Sequence, residues 1–244
     1  MKRLITILFI LILHCVAFGQ NNTEGIIKFL GIPIDGNKQD MYFELKEKGF
    51  IYNRYSDSFS GQFNGRDVTL YVDDNHGVVD RVCVVFPITN RRTVIQEFND
   101  LLSQFESNKK YIASGSYSEI PSNENLAFEM TIHNKIYSAR FNYISPDLFT
   151  AEEVASIRQQ VDYYKDMTPE ERQQLIDSFS DSLGDSIQLT NPQMDMNSLF
   201  SLVKKMTSLE AGQVWFTIIK LSLREYQVAL YYDNLLNRPH GEDL

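Results

Sequence analysis

The chain has 244 residues, of which 43% are hydrophobic, and it carries 23 Lys and Arg against 32 Asp and Glu. This hydrophobic content is enough to bury a sizeable core and excludes intrinsic disorder. The formal net charge of −9 argues against a protein that attracts nucleic acid or anionic lipid through its overall field.

Residues 1–19 have the three parts of a cleavable secretory signal peptide. Met1–Arg3 is basic, Leu4–Leu13 is apolar, and Ala17-Phe18-Gly19 is a small-x-small cleavage site. The pattern predicts cleavage between Gly19 and Gln20 and an extracytoplasmic protein, either periplasmic or secreted. The apolar run is shorter than the roughly twenty residues that cross a bilayer, so no stable membrane span is expected after cleavage.

Cys15 raises the alternative of a lipoprotein. His14 stands directly before it, where a lipoprotein peptidase needs a small residue, and the sequence therefore disfavours lipid attachment. Cleavage after Gly19 leaves 21 basic residues against 32 acidic ones, a net charge of −11, and a single cysteine, Cys83. No intramolecular disulfide can then form.

Helices and runs of strands alternate in the first half of the chain. Asn37 is a predicted N-cap for a helix over 38–48, and Asn64-Gly65 is a predicted hairpin turn. A second helix over 92–105 has a clear apolar face, made by Val94, Phe98, Leu101, Leu102 and Phe105. Strands are predicted over 50–55, 58–63, 66–72, 78–86, 111–114, 126–133 and 136–143.

This order predicts two α-β-β-β units, over 35–87 and 91–145. The segment from Val68 to Phe86 resembles that from Phe128 to Ile144, with a short turn in the middle of each. The same likeness is also compatible with two unrelated hairpins.

The second half begins with two capping boxes, Thr150 with Glu153 and Thr168 with Glu171, each of which predicts a helix start. A further helix is predicted over about 196–206, and a hairpin over 213–221 and 225–232. The predicted fold class is α+β, with antiparallel sheets, helices packed on one face and a C-terminal helix-plus-hairpin. The predicted domains are a signal peptide (1–19), a tandem α-β-β-β domain (20–145) and a helical segment with the hairpin (146–244). The sequence leaves open whether the last two pack as one domain.

Motifs for catalysis, metal or cofactor binding are not found in the sequence. The histidines His76, His133 and His240 have no second ligand at metal-binding spacing, and the acidic turn at 73–77 lacks the glutamate of an EF-hand. Arg81 would lower the pKa of Cys83 if their shared strand face were wet, but a buried structural cysteine is favoured. No cofactor is therefore expected.

One face of the predicted sheet carries polar and aromatic side chains. This alternation predicts a binding face for an unknown protein or glycan, formed by Tyr71, Arg81, Glu129, Thr131, Arg140 and Asn142. The predicted function is a non-catalytic binding module that acts outside the cytoplasm. The alternative is an extracytoplasmic hydrolase of glycans or peptides that uses two carboxylates.

Three short runs of sequence carry a resemblance: FLGIPIDG at Phe29–Gly36, FNGRD at Phe63–Asp67, and YYDN at Tyr231–Asn234 before the terminal GEDL. In these runs the chain resembles small exported proteins of unknown function from Bacteroidetes. The resemblance implies a bacterial, extracytoplasmic setting and no mechanism. The two-copy α-β layout is also similar to that of periplasmic inhibitor and outer-membrane assembly modules, which act by binding proteins, although architecture does not fix function.

Overall fold

The computed structural model describes residues 25–115, 117–166, 168, 170–171 and 211–238. The helices are α1 (Lys38–Glu47), α2 (Arg91–Ser107), α3 (Leu126–Ile132) and α4 (Ala151–Asp166). The strands are β1 (Lys28–Phe29), β2 (Ile32–Pro33), β3 (Ile51–Asn53), β4 (Ser58–Phe63), β5 (Arg66–Asn75), β6 (Val78–Val85), β7 (Tyr111–Ala113), β8 (Ser138–Tyr143), β9 (Gly212–Lys220) and β10 (Tyr226–Asn234).

The predicted signal peptide with Gly19 and Gln20, most of the helix predicted after Thr168, and the helix over 196–206 lie outside the described residues. Among the residues that are described, no helix is both long and apolar enough to cross a membrane.

Eight strands form one antiparallel sheet in the order β3-β4-β5-β6-β10-β9-β8-β7, and β1 pairs with β2 in a separate ribbon. The predicted α+β class with antiparallel sheets is thus confirmed. The C-terminal hairpin β9–β10 lies in the middle of the sheet, between β6 and β8. The domain predicted over 20–145 and the segment predicted over 146–244 therefore contribute strands to one sheet.

Local sequence explains where most elements begin and turn. The Asn37 side chain accepts a hydrogen bond from the Gln39 backbone N–H at 2.7 Å, which caps α1 as predicted. Between β4 and β5, Asn64 and Gly65 have φ values of 53° and 72°, the left-handed backbone that a two-residue hairpin turn requires. The Asn-Gly pair supplies this conformation at little cost.

The core lies between one face of the sheet and helices α1 and α2. The apolar face predicted for α2 is buried throughout, and it packs on β7, β9 and β10. Phe105 stacks on Phe141 of β8 and Phe216 of β9, with ring centroids 5.4 and 5.8 Å apart. Phe98 meets Phe216 edge-on at 5.0 Å. The hairpin is thus fixed to α2 by aromatic packing.

The strand predicted over 126–133 is wrong, because this segment forms helix α3. The alternating apolar residues of the segment predicted a half-buried strand, yet only Leu126 among them is buried. The Asn125 side chain accepts a hydrogen bond from the Phe128 backbone N–H at 3.3 Å and so caps a helix. Glu129 and Thr131 therefore lie on a helix.

The order of a helix followed by an antiparallel meander of strands occurs twice along the chain. Helix α1 precedes β3–β6, and α2 precedes β7–β10, with α3 and α4 inserted between strands of the second meander. The last strands of the two meanders, β6 and β10, are neighbours. A duplication of the sequence stays a prediction, because a repeated order of elements also arises without one.

Candidate binding face

The sheet face turned away from α1 and α2 is called the open face here, and one row of side chains crosses it. The register pairs Tyr71 with Cys83, Cys83 with Tyr231, Tyr231 with Trp215, and Trp215 with Arg140. Residues directly opposite each other on neighbouring strands share a face, so five strands contribute to this row. We call it the aromatic row.

A second, more polar row runs beside the aromatic row. It consists of Asp73, Arg81, Asp233, Gln213 and Asn142, which are paired in that order across the same five strands. The Gln213 side-chain amide donates to Asn142 Oδ1 at 3.2 Å. The two rows together give the open face a polar and aromatic surface.

Trp215 and Tyr231 form a stacked pair at the centre of the aromatic row. Their ring centroids are 4.0 Å apart, and the ring planes are within 11° of parallel. The Arg81 guanidinium lies 5.0 Å from the Tyr231 centroid and 5.7 Å from that of Trp215, within the range of cation–π attraction. These contacts restrict the rotamers of all three side chains.

Asp233, which is paired with Arg81 in the polar row, holds this arrangement in place. Its side chain is only 1% exposed and accepts hydrogen bonds from Arg81 Nε at 2.6 Å and from Trp215 Nε1 at 2.7 Å. Arg238 Nη2 adds a second ion pair at 3.0 Å. Burial raises the pKa of the Asp233 carboxyl, and the hydrogen bonds from Arg81 and Trp215 oppose that rise. One buried carboxylate therefore fixes both the Trp215 indole and the Arg81 guanidinium.

Cys83 is in the aromatic row but is only 8% exposed. Burial raises the pKa of its thiol to about 11, although a hydrogen bond with Tyr231 and the charge of Arg81 act in the opposite direction. The buried position favoured by the sequence is found, and a low thiol pKa caused by Arg81 is not.

This burial predicts that Cys83 resists thiol reagents in the folded protein. At pH 8 a thiol with a pKa of about 11 is ionised in roughly one molecule per thousand, and only the thiolate reacts. Ellman's reagent should label the native protein very slowly and the urea-unfolded protein at once. Cys83→Ser provides the blank. Fast labelling of the native protein would show that the thiol is reachable.

A cavity of about 720 Å³ opens beside the Tyr71 end of the aromatic row. Its lining combines apolar and hydroxyl or amide side chains, among them Ser60, Thr69, Tyr71, Val85, Ile88 and Gln227. The cavity thus lies where β4, β5, β6 and the segment before α2 meet.

Helix α4 borders the open face at the opposite end. Ile112 of β7 is paired with Asn142 and so belongs to the polar side of the sheet, yet it is buried. Val154 and Ile157 of α4 pack on the small cluster that contains Ile112. The open face is therefore bounded by α4 on one side and by the cavity on the other.

The structure brings together four of the predicted site residues, Tyr71, Arg81, Arg140 and Asn142. Glu129 and Thr131 do not join them, since α3 takes them off the sheet. Glu129 instead pairs with His133 on α3, with 2.9 Å between Oε2 and Nδ1.

Sequence reasoning missed Trp215, Tyr231 and Asp233 in the middle of the face. The alternation of polar and apolar residues over Gln213–Lys220 was visible and indicates which side chains share a face. What the sequence did not indicate was that this hairpin lies between β6 and β8.

In the described parts of the chain, no group of three or more His, Cys, Asp or Glu side chains is placed to hold a metal ion. No family model matches the sequence, and the comparisons with curated proteins and with solved structures likewise return no match.

Proposed function

We propose that this protein is exported and acts as a binding module, and that its open sheet face engages a protein partner. The observation that carries the proposal is the aromatic row, in which Arg140, Trp215 and Tyr231 lie on three successive strands and Tyr71 follows beyond the buried Cys83. Trp, Tyr and Arg are the residues that most often dominate the energy of protein–protein contacts. The signal-peptide pattern at residues 1–19 supports the extracytoplasmic setting.

The stacking of Trp215 on Tyr231 favours a protein over a glycan. A sugar typically binds against the free face of an aromatic ring. Here each ring turns one face to the other at a centroid distance of 4.0 Å, which makes that pair of faces inaccessible. The second face of each ring, the ring edges and the Arg140 guanidinium remain for contact, and the edges and the guanidinium suit backbone carbonyls and carboxylates.

Side chains of the open face are also held in fixed conformations before a partner binds. Asp233 holds Arg81 and Trp215 through hydrogen bonds of 2.6 and 2.7 Å, so these side chains lose little further freedom when they bind. An immobilised long side chain otherwise costs about 0.5–1.5 kcal/mol of binding free energy. Arg140 is exposed and makes no ion pair with another described residue, which leaves it available for an acidic group of the partner.

A photo-crosslinking amino acid tests this proposal in the cells that produce the protein. Benzoyl-phenylalanine in place of Tyr71 sits at the junction of the aromatic row and the cavity. The matched control has it in place of Phe43, which is 63% exposed on α1 at the other side of the sheet. We expect a discrete protein adduct from position 71 and none from position 43.

The variant Arg140→Glu, combined with the crosslinker at position 71, should weaken the adduct strongly, because it reverses the charge at the far end of the row. Trp215 is the single tryptophan of the chain, so its fluorescence then reports binding of the purified partner directly. Equal adducts from positions 71 and 43, or an adduct unchanged by Arg140→Glu, would contradict the proposal. Turnover of glycan or peptide substrates by the purified protein would instead favour the hydrolase alternative.

A further inference from the structure

A second surface of unusual composition lies at the end of the molecule where strands β9 and β10 turn. Six large apolar side chains are exposed there, and we call them the end patch: Ile88, Phe128, Ile132, Ile136, Leu221 and Leu223. They come from the β9–β10 turn, from α3 with the residues after it, and from the segment that leads into α2. Ile88 also lines the cavity beside Tyr71, and the other five side chains of the patch lie off the open face.

Hydrogen bonds hold these three segments together. Thr89 and Tyr226 exchange two backbone hydrogen bonds of 2.7 and 2.9 Å, which join the α2 segment to the hairpin. Thr131 of α3 contacts the Lys220 ammonium group, and the Ile218 N–H donates to the Tyr137 carbonyl at 3.0 Å. The apolar side chains are therefore grouped on a fixed framework.

The charge of this end is opposite to that of the whole protein. The segments 88–92, 124–136 and 219–225, together with Glu119, which lines one depression with Lys135 and Ile136, contain five Lys and Arg residues against four Glu, whereas the chain has a net charge of −9. The basic residues are Arg91, Arg92, Lys135, Lys220 and Arg224. Glu124 and Lys135 neutralise each other in an ion pair of 2.7 Å, which leaves four basic residues against three Glu.

Exposed aliphatic side chains flanked by Lys and Arg are the composition of surfaces that dip into a lipid interface. The apolar groups enter the acyl boundary, while long basic side chains reach the anionic headgroups. Exposed residues of the patch are Ile, Leu and one Phe, without the Trp and Tyr that mark the open face and protein interfaces in general.

We propose that the end patch docks the protein peripherally on an anionic lipid surface, with the β9–β10 turn inserted into the headgroup layer. The acidic remainder of the chain is repelled by the same surface, which favours approach by this end. Apart from Ile88, docking uses different residues from those of the open face, so the two roles can be tested separately.

Sedimentation with vesicles tests this docking. The protein used is the purified chain without residues 1–19. The probes are vesicles of phosphatidylcholine alone and of phosphatidylcholine mixed with phosphatidylglycerol. We expect binding to the mixed vesicles, weaker binding to phosphatidylcholine alone, and loss of the difference in high salt.

Two variants with equally exposed side chains separate insertion from general stickiness. Leu223 in the turn and Ile51 at the β3 edge are both 74% exposed. Leu223→Ser should lower the partition coefficient on mixed vesicles about tenfold, because a single apolar side chain no longer enters the lipid. Ile51→Ser should leave it unchanged. The double variant Lys220→Gln/Arg224→Gln should lower binding to the mixed vesicles and leave binding to phosphatidylcholine vesicles unchanged.

Failure of the unchanged protein to sediment with either vesicle would overturn docking, as would an equal effect of Leu223→Ser and Ile51→Ser. If vesicles are not bound but Leu223→Ser abolishes self-association or a crosslink to another protein, the end patch is a protein contact and the proposal is wrong. Circular dichroism of each variant confirms that it is folded before its binding is compared.

Discussion

Asp233→Ala should lower the free energy of unfolding by about 3–5 kcal/mol, the cost of removing one partner from a buried ion pair. The Asp233 carboxylate is 1% exposed, accepts hydrogen bonds from Arg81 and the Trp215 indole, and forms an ion pair with Arg238. Without it, Arg81 loses its carboxylate partner, Arg238 keeps only the more distant Asp80 at 4.0 Å, and the indole N–H loses its acceptor. Urea unfolding monitored by circular dichroism measures the loss.

Asp67→Asn is the matched control for this substitution. Asp67 is exposed and accepts a hydrogen bond from Gln62 at 2.8 Å, so its charge contributes little and the expected loss is below about 0.5 kcal/mol. Asp233→Asn should lie between the two, because the amide keeps one acceptor oxygen but no charge. A loss at Asp233→Ala no larger than that at Asp67→Asn would show that Arg81 and Arg238 are well solvated without Asp233.

Phe216→Ala should also cost about 3–5 kcal/mol of unfolding free energy, the usual range for a fully buried Phe. Its ring meets those of Phe98, Phe105 and Phe141, at centroid distances of 5.0, 5.8 and 6.2 Å. The cavity would lie between α2 and the middle of the sheet. Chemical unfolding of the variant and of the unchanged protein measures the difference.

The exposed Phe43 of α1 is the control for Phe216, and Phe43→Ala should change stability by less than about 0.5 kcal/mol. Since β9 and β10 lie between strands from both meanders, Phe216→Ala should move a single cooperative transition to lower urea concentration. Two separate transitions, of which only one moves, would show that the meanders unfold independently.

Most of the fold could be predicted from local signals in the sequence. Asn37 and the apolar spacing of α2 located both helices that cover the core, and Asn64-Gly65 located a hairpin turn. At 126–132 the strand-like alternation of apolar residues predicted the wrong element, because the structure has a helix capped by Asn125. The cap prevailed because no neighbouring strand buries Phe128 or Ile132.

The candidate site could be predicted only in part, because a face depends on strand order as well as on alternation. Alternation grouped Tyr71 with Arg81 and Arg140 with Asn142 on one face of the sheet, and the register places both pairs on the open face. The sequence contains no local signal that β9 and β10 lie between these pairs. Trp215 and the other central residues of the row could therefore not be identified.

The central position of the β9–β10 hairpin determines when the sheet can be completed during synthesis. Strands β6 and β8 are synthesised well before residues 212–234, and until those residues arrive each has an unpaired edge. Such long-range pairing is slow, and the unfinished sheet is open to pairing with other chains. The sheet is thus completed only after residues 212–234 have been synthesised, and a chaperone that shields the edges of β6 and β8 until then would raise the yield of the protein.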